Sequence, residues 1–204
     1  PVTAHSRVMR ALMRRLLLSN ATVPQGASDG PSLLALRISS LMALGAMEAV
    51  ESLLGVAPIP LDDEALLQAQ VDNLFLLNDS AEACPHIRTA IRKSQDTSWQ
   101  KGLIFCQTLN GEHARAVLGI DLMREQGADD NSVFFKLIGS LLEEWEGEIE
   151  SLSDPTALQL AMVRAGHLRL PDDLTQTRNH ALLAAIALRP HADPELRPLP
   201  AHAP

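Results

Sequence analysis

The sequence contains few of the residues that β-sheet proteins and membrane-spanning proteins depend on. It has no tyrosine, and aromatic residues make up only 3% of its 204 residues. Because aromatic and β-branched side chains are the residues that favour strands, this composition argues against a β-sandwich or a β-barrel. No apolar run reaches the roughly 18 residues that a transmembrane helix needs. Two cysteines are too few for a framework of several disulfides.

The charge balance excludes another class of function. Acidic residues outnumber basic residues by 25 to 17, which gives a formal net charge of −8. A protein that binds nucleic acid mainly through electrostatics carries the opposite sign, so we expect no nucleic-acid partner. The basic residues are unevenly distributed. Residues 1–23 contain Arg7, Arg10, Arg14 and Arg15 and no acidic residue, which leaves a net charge of −12 on the rest of the chain.

The common catalytic and metal-binding motifs are missing. There is no phosphate-binding loop, no G-x-S-x-G, no C-x-x-C and no H-E-x-x-H in the sequence. The closest approach to a metal pair is Glu82 with His86, near Cys84, but Pro85 leaves it open whether the two side chains share a helix face. We therefore predict a protein without a cofactor, without a metal ion and without catalytic activity. An enzyme whose site is assembled from dispersed residues remains the alternative.

The residues that are present form a series of short helical patterns. Residues 1–22 are predicted to form a basic helix with two apolar rows, one of Val8, Leu12 and Leu16 and one of Met9, Met13 and Leu17. We expect these rows to dock on the rest of the fold. The alternative is that residues 7–18 contact a membrane surface or a partner.

Breaks rich in glycine, proline and asparagine divide the remainder. Residues 23–31 are predicted to be a linker, residues 32–190 a helical domain and residues 191–204 a proline-rich tail. The predicted helices of the domain are 32–44, 46–56, 62–77, 81–94, 97–109, 112–126, 131–145, 154–165 and 178–188. Pro85 is placed in the first turn of its helix, Thr97 or Ser98 at the N-cap of the next, and Asp154-Pro155 at N-cap and N1 of a later one. Breaks of two to six residues favour antiparallel neighbours, so we predict an all-α chain of helical hairpins.

Three predicted turns are evenly spaced. Leu44-Gly45, Leu77-Asn78 and Asn110-Gly111 recur at an interval of 33 residues, each between a leucine-rich helix and a helix that begins with small or acidic residues. Over residues 32–127 this pattern resembles a tetratricopeptide-type α-solenoid, although only Trp99 is near the consensus tryptophan position. The resemblance implies stacked hairpins. An irregular helical bundle is the alternative fold.

A second resemblance concerns location. The stretches Trp99 to Gly127 and Leu170 to Leu174 resemble uncharacterised bacterial helical-repeat proteins of the cell envelope. This resemblance implies a bacterial periplasm or cell envelope and assigns no activity.

Cys84 and Cys106 are predicted to form a disulfide. They lie at nearly equal distances on either side of the predicted turn at residues 94–97, which brings them to the same height in an antiparallel hairpin. Neighbouring helices are close enough for a disulfide at such a position. A disulfide would favour an oxidising compartment such as the periplasm. The alternative is a pair of buried free thiols in the cytoplasm.

One run of acidic residues is a candidate surface site. It consists of Glu143, Glu144, Glu146, Glu148 and Glu150 and contains no basic residue. A solvated charged face is the expectation, and a docking surface for a basic partner is the alternative.

The function that these observations favour is a non-catalytic protein–protein interaction scaffold built from helical repeats, because stacked hairpins present an extended surface for partners. A structural subunit of a bacterial envelope assembly is a further alternative.

Overall fold

The computed structural model describes residues 7–19, 32–57, 63–129, 132–145, 147–152, 154–169, 171, 173, 177 and 179–187. Within these residues the chain forms ten α-helices and no β-strand, which confirms the all-α prediction. The helices are α1 (Arg7–Leu18), α2 (Leu33–Ala43), α3 (Met47–Leu54), α4 (Glu64–Leu76), α5 (Ser80–Ala90), α6 (Thr97–Leu109), α7 (His113–Glu125), α8 (Val133–Leu141), α9 (Ala157–Ala165) and α10 (His180–Ala187). The predicted linker 23–31 and tail 191–204 lie outside the described residues.

The helices pack in two groups. From α2 to α7, each helix contacts the next one along the chain. The C-terminal helices then pack against the first helix of each pair: α10 contacts α2 and α4, α9 contacts α4 and α6, and α8 contacts α6. The C-terminal helices are therefore part of the same packed body as the hairpins.

The turns inside the three pairs share one backbone conformation. Gly45, Asn78 and Gly111 have φ angles of 70°, 65° and 72°, in the left-handed region. The amide of the following residue then donates to the carbonyl five residues earlier, as from Ala46 to Leu41 at 3.0 Å. This is the Schellman arrangement, and glycine and asparagine are the residues that adopt it most readily. The predicted turns at an interval of 33 residues are confirmed.

Buried positions share the same interval. The same places in successive hairpins are occupied by small or aliphatic side chains that are shielded from solvent. They are Ile38, Val71 and Ile104; Val50, Ala83 and Ala116; and Leu54, Ile87 and Ile120. The sequence analysis used only the turns, so these core positions are an additional regularity that the structure reveals.

The predicted place of Pro85 is wrong. The Asp79 carboxylate accepts the amide of Glu82 at 3.1 Å, which starts α5 at Ser80 and places Pro85 inside the helix. The side chain of Asp79 supplies a stronger cap than the small residues that follow it, so the helix begins earlier than its apolar pattern indicates.

Two other predicted N-caps are also wrong, for the same reason. Asp96, not Thr97 or Ser98, caps α6 by accepting the amide of Ser98. The N-cap of α9 is Thr156 rather than Asp154. Its hydroxyl accepts the amide of Gln159 while the Gln159 side chain accepts the amide of Thr156, a reciprocal capping box that a single aspartate does not provide.

Helix α8 is shorter than predicted. It ends at Leu141 rather than near Trp145. Glu143 takes a φ of 59°, and the amide of Glu144 bonds back to the carbonyl of Gly139 at 2.8 Å. A left-handed glutamate is uncommon, so the sequence gives little sign of this stop.

Helix α1 docks only in part. Leu17 is half-buried against the cluster formed by α2, α3 and α4, whereas Val8 and Leu16 keep 69% and 70% of their surface exposed. Met9 and Leu12 are exposed as well. The expectation that both apolar rows dock is therefore wrong for the row of Val8, Leu12 and Leu16, because the body meets only one edge of the helix.

Cys84 of α5 and Cys106 of α6 form a disulfide, which confirms the predicted pairing. Their Cα atoms are 5.7 Å apart, and both residues are buried in the main core. The bond joins the second hairpin to the third at a point where the two helices already pack together.

Removal of the disulfide should lower stability substantially. The double variant Cys84→Ala/Cys106→Ala opens a loop of 22 residues, for which chain entropy predicts a loss of about 3 kcal/mol. Urea unfolding of the variant and of the parent protein, with and without reductant, measures this loss. Reductant should weaken the parent protein and leave the variant unchanged. Equal stability of the oxidised parent and the variant would contradict the prediction.

Gly111 and Gly127 should resist replacement by alanine. Both have left-handed φ angles, 72° and 87°, and a Cβ at either position would meet no atom within 4 Å. The cost of each substitution, roughly 1 kcal/mol, therefore comes from backbone strain alone. Gly55 at the end of α3 has a φ of −63° and serves as the matched control. Denaturant melts that show equal effects for Gly55→Ala and Gly127→Ala would count against this explanation.

Candidate functional site

An apolar groove runs between α1 and α2. It encloses about 430 Å³ and is lined by Met13, Leu16, Leu17, Ser39, Ser40, Ala43 and Leu44. The α2 side consists largely of small side chains. The hydroxyl groups of Ser39 and Ser40 both donate to the carbonyl of Leu36, at 3.0 and 2.7 Å. Because these donors are already satisfied, the α2 wall presents mainly apolar atoms to a partner.

Exposed apolar side chains border the groove. Val8, Met9, Leu12 and Leu16 lie on the outer side of α1, and Leu36 is exposed on α2 one turn before the two serines. Scattered exposed leucines are normal in proteins, whereas a contiguous set beside a concave surface marks an interaction site. The α1–α2 groove is thus the first candidate site.

The walls of the α1–α2 groove are held together by Arg37 of α2. Its Nε donates to the carbonyl of Leu17 at 2.6 Å, and its Nη2 donates to the carbonyl of Ser19. These carbonyls are at the C-terminal end of α1, where the helix leaves them without internal partners. The positive charge also suits the negative end of the helix dipole. Arg37 therefore fixes the end of α1 that borders the groove.

A second, partly enclosed cavity lies between α4, α6, α8 and α9. Its volume is about 240 Å³, and most of its lining is apolar or aromatic, including Phe75, Trp99 and Phe134. Asp72 of α4 is among its lining residues. The Asp72 carboxylate accepts one hydrogen bond, from Gln68 Nε2 at 3.0 Å. We refer to this space as the Asp72 cavity.

Burial raises the pKa of Asp72 from 3.8 to about 6, because the apolar surroundings disfavour the charged form, and the hydrogen bond from Gln68 opposes this only in part. A carboxyl group whose pKa is higher in the folded state binds its proton more tightly there than in the unfolded chain. It therefore stabilises the fold at low pH, and this contribution is lost as the pH rises through about 6.

The variant Asp72→Asn should remove this pH dependence. Asparagine keeps an oxygen acceptor for Gln68 but cannot ionise. Above pH 7 we expect the variant to be more stable than the parent protein by up to about 3 kcal/mol, and near pH 4 we expect the two to be similar. Urea melts at pH 4.5 and pH 7.5 measure the difference. An equal difference at both pH values would show that Asp72 is not a buried titrating group.

The acidic run is placed on the surface. Glu143, Glu144, Glu148 and Glu150 are exposed, and Glu146 lies outside the described residues. Glu150 borders a shallow depression together with Asp154 and Lys136. The structure contains no partner for these carboxylates, so a docking surface for a basic partner stays a prediction.

Glu82 and His86 do share a helix face, since α5 continues through Pro85, and His86 Nε2 lies 3.9 Å from Glu82 Oε1. Cys84 is engaged in the disulfide. Across the described part of the chain, no group of three or more histidine, cysteine, aspartate or glutamate side chains is arranged to hold a metal ion.

The longest helices described are α4, α6 and α7, with 13 residues each. None of the helices in the described ranges is both long and apolar enough to cross a membrane.

The sequence matches no family model, and neither a curated protein nor a solved structure matches it significantly.

Sequence analysis gave no role to Asp72 or Arg37. A weak sign of Asp72 was available in the chain: Gln68 and Asp72 form a polar pair at i and i+4 on a helix whose other buried positions are mostly apolar. Arg37 gave no such sign, because its partners are carbonyl groups of another helix about twenty residues earlier.

Proposed function

We propose that this protein is a non-catalytic protein–protein interaction module that binds an amphipathic helix with acidic flanks in the α1–α2 groove. The observation that carries the proposal is the solvent-facing apolar row of α1, with Val8, Leu12 and Leu16 beside a concave apolar surface. Helix-in-groove recognition uses this arrangement, in which side chains spaced by three or four residues anchor a partner helix.

Charge determines the kind of partner. Arg10, Arg14 and Arg15 flank the apolar row, and α1 contains no acidic residue. Acidic side chains on both sides of a partner's apolar stripe would complement these arginines, which favours correct pairing and fast association. A second copy of this chain, docked through the same face, would bring arginines against arginines, so a different protein is the better fit.

The concave shape favours a protein over a membrane. A basic amphipathic helix that lies on a lipid surface uses a convex apolar face. Here Leu16 is at the edge of a groove whose opposite wall is formed by Ser39, Ser40 and Ala43. Small residues on that wall give a partner's side chains room to enter, which a lipid surface does not require.

We further propose that residues 32–127 form a tetratricopeptide-like stack of three hairpins. The support is the common interval of 33 residues between left-handed turns and between buried positions. Stacked hairpins usually bind partners on one extended face. In this chain α2, α4 and α6 already contact α8, α9 and α10, which is why we assign partner binding to the side that carries α1.

The disulfide supports a location in an oxidising compartment, and we propose the bacterial periplasm or cell envelope. The location is checked by alkylating freshly isolated native protein and measuring its intact mass. Two alkylated cysteines would place the chain in a reducing compartment.

A structural subunit of an envelope assembly is the second candidate, and the same exposed row of α1 favours it, because obligate subunits expose larger apolar patches when isolated. The two candidates differ in exchange. A module releases its partner reversibly, whereas a structural subunit purifies in a fixed stoichiometry with it.

The interaction proposal is tested with synthetic helices. The probe is a labelled peptide with leucines on one face and glutamates on both sides of that face, and fluorescence anisotropy measures its affinity. Leu12→Glu should weaken binding at least tenfold, because a buried leucine contributes about 1.5–3 kcal/mol and the new charge repels the glutamates. Leu122→Glu on α7 is the matched control, since Leu122 is similarly exposed and is not among the residues lining the groove.

Three further arms decide the outcome. A peptide of the same composition with its pattern scrambled, and one with lysine in place of glutamate, should bind weakly. Vesicles of phosphatidylglycerol test the membrane alternative. Absence of saturable binding to the acidic peptide, an equal effect of Leu12→Glu and Leu122→Glu, or binding to vesicles alone would overturn the proposal.

A further inference from the structure

We propose that the Asp72 cavity binds a small organic ammonium ion carried on an apolar stem. This inference is independent of the α1–α2 groove, because the two sites share no lining residue. The shared chemistry is a protonated primary amine attached to a hydrophobic group, which describes both a free amine and the side chain of a lysine in a partner protein.

The Asp72 cavity has the composition of a ligand site. Six of its lining residues are apolar, and they come from α4, α5, α6, α8 and α9: Val71, Phe75, Ile87, Trp99, Phe134 and Leu158. Ligand pockets combine such surfaces with a few polar groups that fix the orientation of the ligand. The volume of about 240 Å³ corresponds to roughly eight waters. An aralkylamine with one ring is therefore the size of ligand that the cavity suits.

Asp72 supplies the polar group. An ionised carboxylate only accepts hydrogen bonds and has room for about four. Gln68 provides one, and among the described residues no basic side chain forms an ion pair with Asp72. A buried negative charge with so little compensation favours a cation that brings both charge and N–H donors.

Lys101 is the only other ionisable residue among those that line the cavity. Its charge is directed elsewhere. The hydrogen bonds from Ser98 chiefly lower the pKa of Asp96, and the positive charge of Lys101 adds to that effect. The pKa of Asp72, by contrast, is set by burial and by Gln68, with no contribution from Lys101. The Lys101 ammonium therefore does not occupy the position that the ligand would take beside Asp72.

Aromatic rings would reinforce this preference. Phe75, Trp99 and Phe134 line the cavity, and ring faces attract cations, tryptophan most strongly. The indole nitrogen of Trp99 donates to Glu64 Oε1 at 2.9 Å, which fixes the ring in the wall. A bound amine thus meets a carboxylate at its charged end and rings along its stem.

The test uses the fluorescence of Trp99 in the full-length protein. The chain contains two tryptophans, so a Trp145→Phe background leaves Trp99 as the only reporter. Phenethylamine is the probe, and phenethyl alcohol is the neutral analogue of nearly the same shape. At pH 7.5 we expect saturable binding of the amine at millimolar concentrations or below, and binding of the alcohol at least tenfold weaker.

Two variants separate the carboxylate from general effects. Asp72→Asn should weaken amine binding at least tenfold and leave alcohol binding unchanged. Asp121→Asn, at an exposed acid on α7 that does not line the cavity, should change neither. Because Asp72→Asn is expected to be more stable than the parent protein at this pH, loss of binding would not reflect unfolding. Circular dichroism of both variants provides the check.

The pH dependence gives an independent readout. Since the pKa of Asp72 is about 6, amine affinity should fall about tenfold for each pH unit below that value, while phenethylamine itself stays protonated throughout. The same series with Nα-acetyl-lysine N-methylamide distinguishes a lysine side chain from a free amine by which of the two binds more tightly. Equal binding of amine and alcohol, equal binding by Asp72→Asn and the parent protein, or no saturable binding of either amine would overturn the proposal.

Discussion

The fold depends on how the carbonyl groups at the ends of its short helices are satisfied. The described helices contain 8 to 13 residues, and each α-helix leaves its last four carbonyls without an internal partner. In an eight-residue helix such as α3, that is half of all carbonyls. Six helices end in a left-handed residue that lets the following amide bond back to the carbonyl five positions earlier. These residues are Gly45, Asn78, Gly111, Gly127, Glu143 and His167. The same conformation reverses the chain, so one local device both ends a helix and directs the next.

Arginine side chains satisfy carbonyls that the turns do not reach. Arg164 of α9 donates through Nη1 to Phe75 and Leu76 at the end of α4, and through Nη2 to Ala185 of α10, at 3.1, 3.0 and 2.7 Å. One partly buried guanidinium thus links three helices that are distant in sequence. Arg37 connects α1 to α2 in the same way. Hydrogen bonds from a charged donor are stronger than neutral ones. The attachment of the C-terminal helices to the hairpins therefore relies on polar bonds as well as on apolar packing.

The features that could be predicted from the sequence are those with local causes. Gly45, Asn78 and Gly111 mark turns because glycine and asparagine tolerate a left-handed backbone, and the disulfide followed from the nearly symmetric placement of two cysteines about one turn. The wrong N-caps arose where several capping residues compete within three positions, as at Asp96, Thr97 and Ser98. The docking of α1 was overestimated because periodicity shows that a helix has an apolar face but not whether the body is wide enough to cover it. The Asp72 cavity could not be predicted, because its walls come from α4, α5, α6, α8 and α9 and exist only after long-range packing.

The stabilising and destabilising features of the chain are concentrated in the same region. Asp72 costs stability when ionised, and the neighbouring Asn73 is buried with an Oδ1 that has no hydrogen-bond partner among the described residues. Both belong to α4. The disulfide holds α5 against α6, and Arg164 holds α9 against the end of α4, so the strongest links surround the helix that carries the unfavourable groups. Proteins usually retain a destabilising buried polar group where function requires it and compensate elsewhere. A rigid frame around Asp72 also keeps the cavity from collapsing or filling with water, which preserves the low polarity that perturbs its carboxyl group. By this reasoning the disulfide and Arg164 stabilise the fold and also maintain the environment on which the chemistry of Asp72 depends.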